Sequence, residues 1–156
     1  MMVDRDSLTL DRISPLFVGG RVWLQAGNTA FPCQGWTDEP LSVIGSMGTA
    51  IDRIRTGEEE EWDFYFFDGS YFVKLLPDTA EAGSAPIVRV VGLDDHDEDN
   101  PVVGVDVRVP LLDLENAFVQ AVRTLRDWAD STGSPELIAA VARTGSPLDG
   151  WGSDVG

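Results

Sequence analysis

The sharpest pattern along this chain is an aromatic hairpin. Trp62-Asp63-Phe64-Tyr65-Phe66-Phe67 and Ser70-Tyr71-Phe72-Val73-Lys74-Leu75 flank Asp68-Gly69, a dipeptide suited to a two-residue type I′ turn. Pairing Phe67 with Ser70 sets Asp63 opposite Lys74, so the chain's only lysine meets an acid across the strands. This register collects Trp62, Phe64, Phe66, Tyr71, Val73 and Leu75 on one unbroken core face. The other face carries Asp63/Lys74, Tyr65/Phe72 and Phe67/Ser70. Upstream, Leu8 to Ile13 and Arg21 to Ala26 alternate as two short strands joined at Gly19-Gly20. A loop, Gly27 to Trp36, follows. Downstream, Ile87 to Leu93 and Val102 to Val109 read as two more strands. In the second, Val103, Val105, Val107 and Val109 face one way and Gly104, Asp106 and Arg108 the other.

Helical spacing appears in three places. Asp38-Glu39-Pro40 starts a helix with acids and a proline in its first turn. Its stripe is Leu41, Ile44, Met47/Gly48, Ile51 and Ile54, with Arg53 and Arg55 at the negative end and Gly57 as the cap. Gly45 and Gly48 inside it each cost about 1 kcal/mol against alanine, which predicts close approach of the helix to a sheet. After Pro110, Asp113 caps a helix with the stripe Leu114, Phe118, Ala121/Val122, Leu125 and Trp128/Ala129. Ser134-Pro135-Glu136 opens a short last helix through Arg143. The expected fold is α+β: an antiparallel sheet of five to six strands, two main helices on one face and a short C-terminal helix. Residues 1–144 form one domain. Residues 145–156, with four glycines, form a mobile tail that Trp151 is able to pin.

Composition changes the picture through charge. Eleven basic side chains face twenty-seven acidic ones, a formal charge of −16 on 156 residues. With 43% hydrophobic and 9% aromatic residues the chain still buries a core, so the charge does not indicate disorder. Spread over a fold with a radius of gyration of about 15 Å, these charges attract a basic partner and repel nucleic acid and anionic membrane. No apolar run approaches the roughly 20 residues that cross a bilayer, and the first residues show no secretory signal. A single cysteine, Cys33, allows no internal disulfide and fits a reducing cytoplasm. His96 is the only histidine.

Two acidic runs and the hairpin's second face are the candidate sites. Asp94-Asp95-His96-Asp97-Glu98-Asp99-Asn100 lacks the alternating acids and the glycine of an EF-hand loop. It reads first as a solvated connection between strands and second as a contact for a basic partner, leaving a cation site as a residual reading. Glu58, Glu59, Glu60 and Glu61 abut the hairpin and rim its exposed aromatics, Tyr65, Phe67 and Phe72, as at protein interfaces. The competing reading covers those rings with the last helix, the tail or a second subunit. Neither Cys33 nor a serine triad has a supporting motif, and no phosphate-binding glycine motif follows a strand. No catalytic, cofactor or metal residue is assigned, and the expectation is a protein that is not an enzyme.

Trp36-Thr37-Asp38 leading into an amphipathic helix, the hairpin turning at Phe67-Asp68-Gly69, and a helix after the last strand make Phe31 to Trp128 resemble small acidic immunity proteins of bacterial toxin systems. Abundant arginine over lysine, with many Asp, Gly, Ala and Val, suggests a high-GC bacterial genome. The resemblance implies a cytoplasmic, non-enzymatic inhibitor that masks a basic toxin, such as a nuclease. No toxin-contact residue carries over by position. An acidic secretion chaperone and a small-molecule-binding domain remain the alternatives.

Overall fold

A computed structural model describes residues 1–11, 13–14, 17–57, 60–78 and 85–147. Two antiparallel sheets of four strands replace the single sheet expected from the pattern. The first holds β1 (Met2–Leu10), β2 (Val18–Ala26), β3 (Thr29–Phe31) and β4 (Thr37–Asp38). The second holds β5 (Trp62–Tyr65), β6 (Tyr71–Asp78), β7 (Ile87–Asp94) and β8 (Val102–Pro110), in chain order. The division has a local cause. Gly27, at φ 57°, turns the chain back so that Ala26 pairs with Thr29 and Leu24 with Phe31. Further along, Gly20 pairs with Asp38 and Arg21 with Thr37. The segment read as a loop thus occupies β2's second edge, and no edge of β2 is left for the hairpin to join.

The first two strands are longer than expected, and Gly19-Gly20 lies inside β2 instead of forming the turn. Gly20 is needed there for space. A Cβ on it would sit 2.8 Å from Leu8 Cδ2, beside an irregularity in the β1–β2 pairing between Asp4 and Thr9. Ser7 Oγ fills the gap in the ladder by accepting from Arg21 N–H at 2.7 Å.

The hairpin register is the expected one: Trp62 pairs with Leu75, Asp63 with Lys74 and Tyr65 with Phe72. Phe64, Phe66, Val73 and Leu75 are buried, while Trp62 and Tyr71 are half-buried. The turn differs. A type I′ turn needs positive φ at both central residues, but only Gly69 (φ 89°) has it. The bond nearest the tip, Phe66 N–H to Tyr71 O (3.1 Å), encloses four residues. Phe67 and Asp68 N–H bond the Asp38 side chain, and Ser70 O accepts from Asp95 N–H.

The three helices are α1 (Pro40–Thr56), α2 (Leu111–Thr132) and α3 (Pro135–Thr144). α1 ends on Gly57 in the left-handed conformation, and Ser134 Oγ accepts from Leu137 N–H to cap α3. Asp113 does not cap α2. The helix begins directly after Pro110, which places Asp113 within its first turn. α1 crosses from β2 to β5 and β6, α2 lies against β1, β8 and α1, and α3 packs on α1 and α2. Buried side chains from both sheets and all three helices form one continuous cluster. The mobility expected of the tail concerns mainly residues 148–156, which lie outside the described residues. No described helix is long and apolar enough to cross a membrane.

Of the two glycines inside α1, only Gly48 serves helix–helix contact. A Cβ on Gly48 would meet the Phe118 ring of α2 at 2.6 Å, whereas one on Gly45 meets only Thr144 Cγ2 at 4.0 Å. The expected close approach is therefore to a helix, because α2 and not a sheet covers this side of α1.

Asp38 joins the two sheets. It is 6% exposed, the only buried charged residue among those described. Its oxygens accept from Trp36 Nε1 (3.0 Å), Glu39 N–H (2.7 Å), Phe67 N–H (3.0 and 3.1 Å) and Asp68 N–H (3.1 Å). The residue expected to start α1 instead ties β4 to the hairpin tip, and Glu39 takes the N-cap position without a side-chain cap.

Two stability predictions follow from this packing. Gly45→Ala raises the unfolding free energy by about 0.5–1 kcal/mol, while Gly48→Ala lowers it by about 1–3 kcal/mol, as denaturant titration reads directly. Asp38→Asn sets an amide NH2 against a ring of N–H donors and leaves a buried donor unmet. It lowers stability by about 2–3 kcal/mol. An unchanged denaturation midpoint would show that the junction is not held there.

Candidate functional site

The pairing of β5 to β8 sorts the second sheet into rows. On the side away from the core, Tyr65, Phe72, Leu93 and Val103 stand side by side across all four strands. Tyr65 is 48% and Val103 55% exposed, and Phe72 and Leu93 are half-buried. The Tyr65 and Phe72 rings lie 6.4 Å apart. α3 packs on the other two helices, so the last helix does not cover these rings. Val103 reaches this face because the β7–β8 register shifts: Gly92 pairs with Val105 but Leu93 with Val103, leaving Gly104 as the extra residue. The strict alternation expected of this strand therefore breaks. Val105, Val107 and Val109 stay on the core side, and Val103 turns outward.

The next row holds Asp63, Lys74, Val91 and Asp106. Lys74 Nζ bonds Glu61 at 3.2 Å, lies 3.6 Å from Asp63 and stands 5.9 Å above the Phe72 ring. The pair is lopsided. Burial pushes the Asp63 carboxyl above its ordinary range despite the lysine, and its buried Oδ1 has no hydrogen-bond partner. Burial also works against the Lys74 ammonium, but its bond to Glu61 and the nearby charges outweigh that and raise it. Arg89 grips Asp106 at 2.6 and 2.8 Å, and Arg108 meets Asp78 at 3.1 Å. Each cation of this face is thus matched by an acid, which leaves the surplus charge negative.

The structure brings the aromatics and the longer acidic loop to one end of the sheet. Ser70 Oγ donates to Asp94 Oδ1 (2.5 Å), Asp95 N–H donates to Ser70 O (3.0 Å), and His96 N–H donates to Asp94 Oδ1 (3.1 Å). The Ser70 bond, then that from His96, holds the Asp94 carboxyl below its usual range. Asp97 braces the loop by accepting from Asp99 N–H and from Asn100 Nδ2, both at 3.2 Å. Asp95, Glu98 and Asp99 point no carboxylate at a described partner. No group of three or more His, Cys, Asp and Glu among the described residues could hold a metal ion.

From the second acidic run, Glu61 lines a cleft with Trp62, Asp63 and Tyr65. Glu60 and Glu61 are exposed at the start of β5, beyond Asp63 from the tip, and Glu58 and Glu59 lie outside the described residues. Phe67 is 52% exposed at the tip, where it lines a cleft of about 300 Å³ with Phe17, Thr37, Glu39 and Asp68. Leu93, Val103 and Phe17 were not among the expected site residues. Leu93 and Val103 join the row only through the register of β6 to β8 and the bulge at Gly104, which no local pattern announces.

Comparison with protein-family models, curated proteins and solved structures finds no match to this chain.

Ser70→Ala tests the fixed position of the acidic loop. It should return the Asp94 carboxyl toward its ordinary range, visible by NMR titration. Because the folded value is depressed, Asp94 adds stability above the ordinary carboxylate range and loses it as pH falls through the folded value. Acid unfolding of the wild type should therefore show a pH-dependent loss that Ser70→Ala reduces. Identical acid profiles would remove the tie.

Proposed function

We propose that this protein is a non-enzymatic inhibitor of the immunity type that binds and masks a basic toxin domain in a bacterial cytoplasm. The observation that carries this reading is the row Tyr65–Phe72–Leu93–Val103, which no described helix covers, anchored at one end to an acidic loop. Exposed aromatic and aliphatic side chains gathered on a sheet face supply contact area, and flanking charge supplies steering and choice of partner. A net charge of −16 speeds encounter with a cationic surface and disfavours nucleic acid. Inhibition is steric: the sheet face lies over the partner's working surface, and no group on this chain needs to react.

The test is co-expression with the protein encoded beside this one in its genome. Rescue of growth with a stable one-to-one complex supports the reading. A harmless neighbour that forms no complex overturns it. Within that complex, Tyr65→Ala and Phe72→Ala each weaken binding about 30-fold, or about 2 kcal/mol, and leave the fold within about 0.5 kcal/mol. Should either variant unfold the free protein, the rings belong to the core and this face is not the contact. Association should also slow between low and physiological salt, with dissociation changing less.

A further inference from the structure

The second sheet has two edges, and the chain finishes them differently. Along β5 the Phe66–Tyr71 bond fixes the phase of the ladder, which turns the main-chain groups of Asp63, Tyr65 and Phe67 outward. The N–H groups of the two residues nearest the tip are sealed. Tyr65 N–H donates to Ser46 Oγ of α1 at 3.2 Å, and that hydroxyl lies 3.4 Å from Tyr65 O. Phe67 N–H goes to Asp38.

Along β8 the phase follows from Leu111 N–H donating to Pro86 O at 2.9 Å, one step past the Ile87–Pro110 pair. Val105, Val107 and Val109 therefore give their main-chain groups to β7. Asp106 and Arg108 turn theirs outward, and both residues are exposed. Among the described residues nothing bonds these outward groups. The stretch from the bulge to Arg108 spans about 17 Å at 3.4 Å per residue, and Pro110 bounds its far end.

We infer that β8 accepts an added strand, and that the occupant is an extended basic segment of the protein partner. An unpaired edge offers main-chain bonds to an incoming strand, and here it continues a contact surface. The apolar row ends on β8 at Val103, and Val102 beside it is 65% exposed. Charge selects the occupant. Asp95, Glu98 and Asp99 stand on the loop leading into β8, the edge's own Arg108 is held by Asp78, and Arg89 of β7 is held by Asp106. A second copy of this chain would bring another −16 to the same edge. The inference rests on the inhibitor reading for its partner class and adds the mode of docking to it.

The probe is a nine-residue peptide alternating valine with lysine and arginine, added to ¹⁵N-labelled protein. The amide protons of Asp106 and Arg108 should move downfield and exchange at least tenfold more slowly. The same peptide with its central residues replaced by proline should leave them unmoved. Arg108→Pro removes an outward N–H and spares the β7 ladder, while Arg108→Ala removes the bond to Asp78 alone. Peptide affinity should fall at least tenfold further in the proline variant. Amides unaffected by the peptide, or two variants that behave alike, would overturn the inference. So would a concentration-dependent dimer whose β8 amides are already protected. Loss of peptide addition, with partner binding still dependent on Tyr65 and Phe72, sinks the edge and keeps the inhibitor reading. Peptide addition that survives a partner indifferent to those rings does the reverse.

Discussion

A carboxyl group removed from water must be met by donors, and Asp38 is met by four N–H groups from both sides of a junction. Trp36 and Glu39 approach from the first sheet and the start of α1, Phe67 and Asp68 from the tip of the second sheet. The hairpin tip therefore cannot close on itself in the usual way. Its N–H groups are already engaged by a side chain some thirty residues earlier in sequence. Strand β4, the entry to α1 and the position of the aromatic hairpin all depend on this one acceptor. Placement of Phe67 at the surface follows from it as well, since the main chain on which that ring stands is fixed by Asp38.

Rings complete the joint that the carboxyl begins. Phe31, from β3, packs edge-on to Phe66 and Tyr71 at 5.9 and 5.8 Å, and Trp36 packs edge-on to Tyr71 at 5.1 Å. Space for Phe31 comes from missing side chains on the second sheet. A Cβ on Gly92 or Gly104 would lie 2.8 or 2.6 Å from its ring. Gly104 has two duties. It admits Phe31 on the core side, and as the bulged residue it rotates Val103 to the opposite side. Packing between the sheets and the composition of the outer face are thus coupled through one glycine.

Local signals were readable in the sequence and long-range ones were not. Asp68-Gly69 with the Asp63–Lys74 match gives the hairpin register, and Gly57 and Ser134 mark helix ends, because each depends on neighbours a few residues away. Partition into two sheets depends on which edge the segment from Thr29 to Asp38 occupies, and the hydrophobic pattern is the same either way. Asp38 has the composition of a helix start and the role of a tie, since its donors become neighbours only after folding. The same limit applies to the surface. Tyr65, Phe67 and Phe72 are visible as rings the core does not need, whereas Leu93 and Val103 join them only after a register shift. Asp94 to Asp99 could be read as charge, but its bond to Ser70 could not.

That bond has a consequence for how two bodies meet. A flexible acidic loop draws in a cation from any angle and then lets it wander. Here the loop is fastened through Ser70 to the strand pair that carries the rings, so the centre of negative potential keeps a constant bearing relative to the apolar face. A cationic body attracted to the loop arrives already turned toward the rings, and little rotational search remains. Long-range attraction and short-range fit then share one frame of reference, set by the hydroxyl and carbonyl of a single serine.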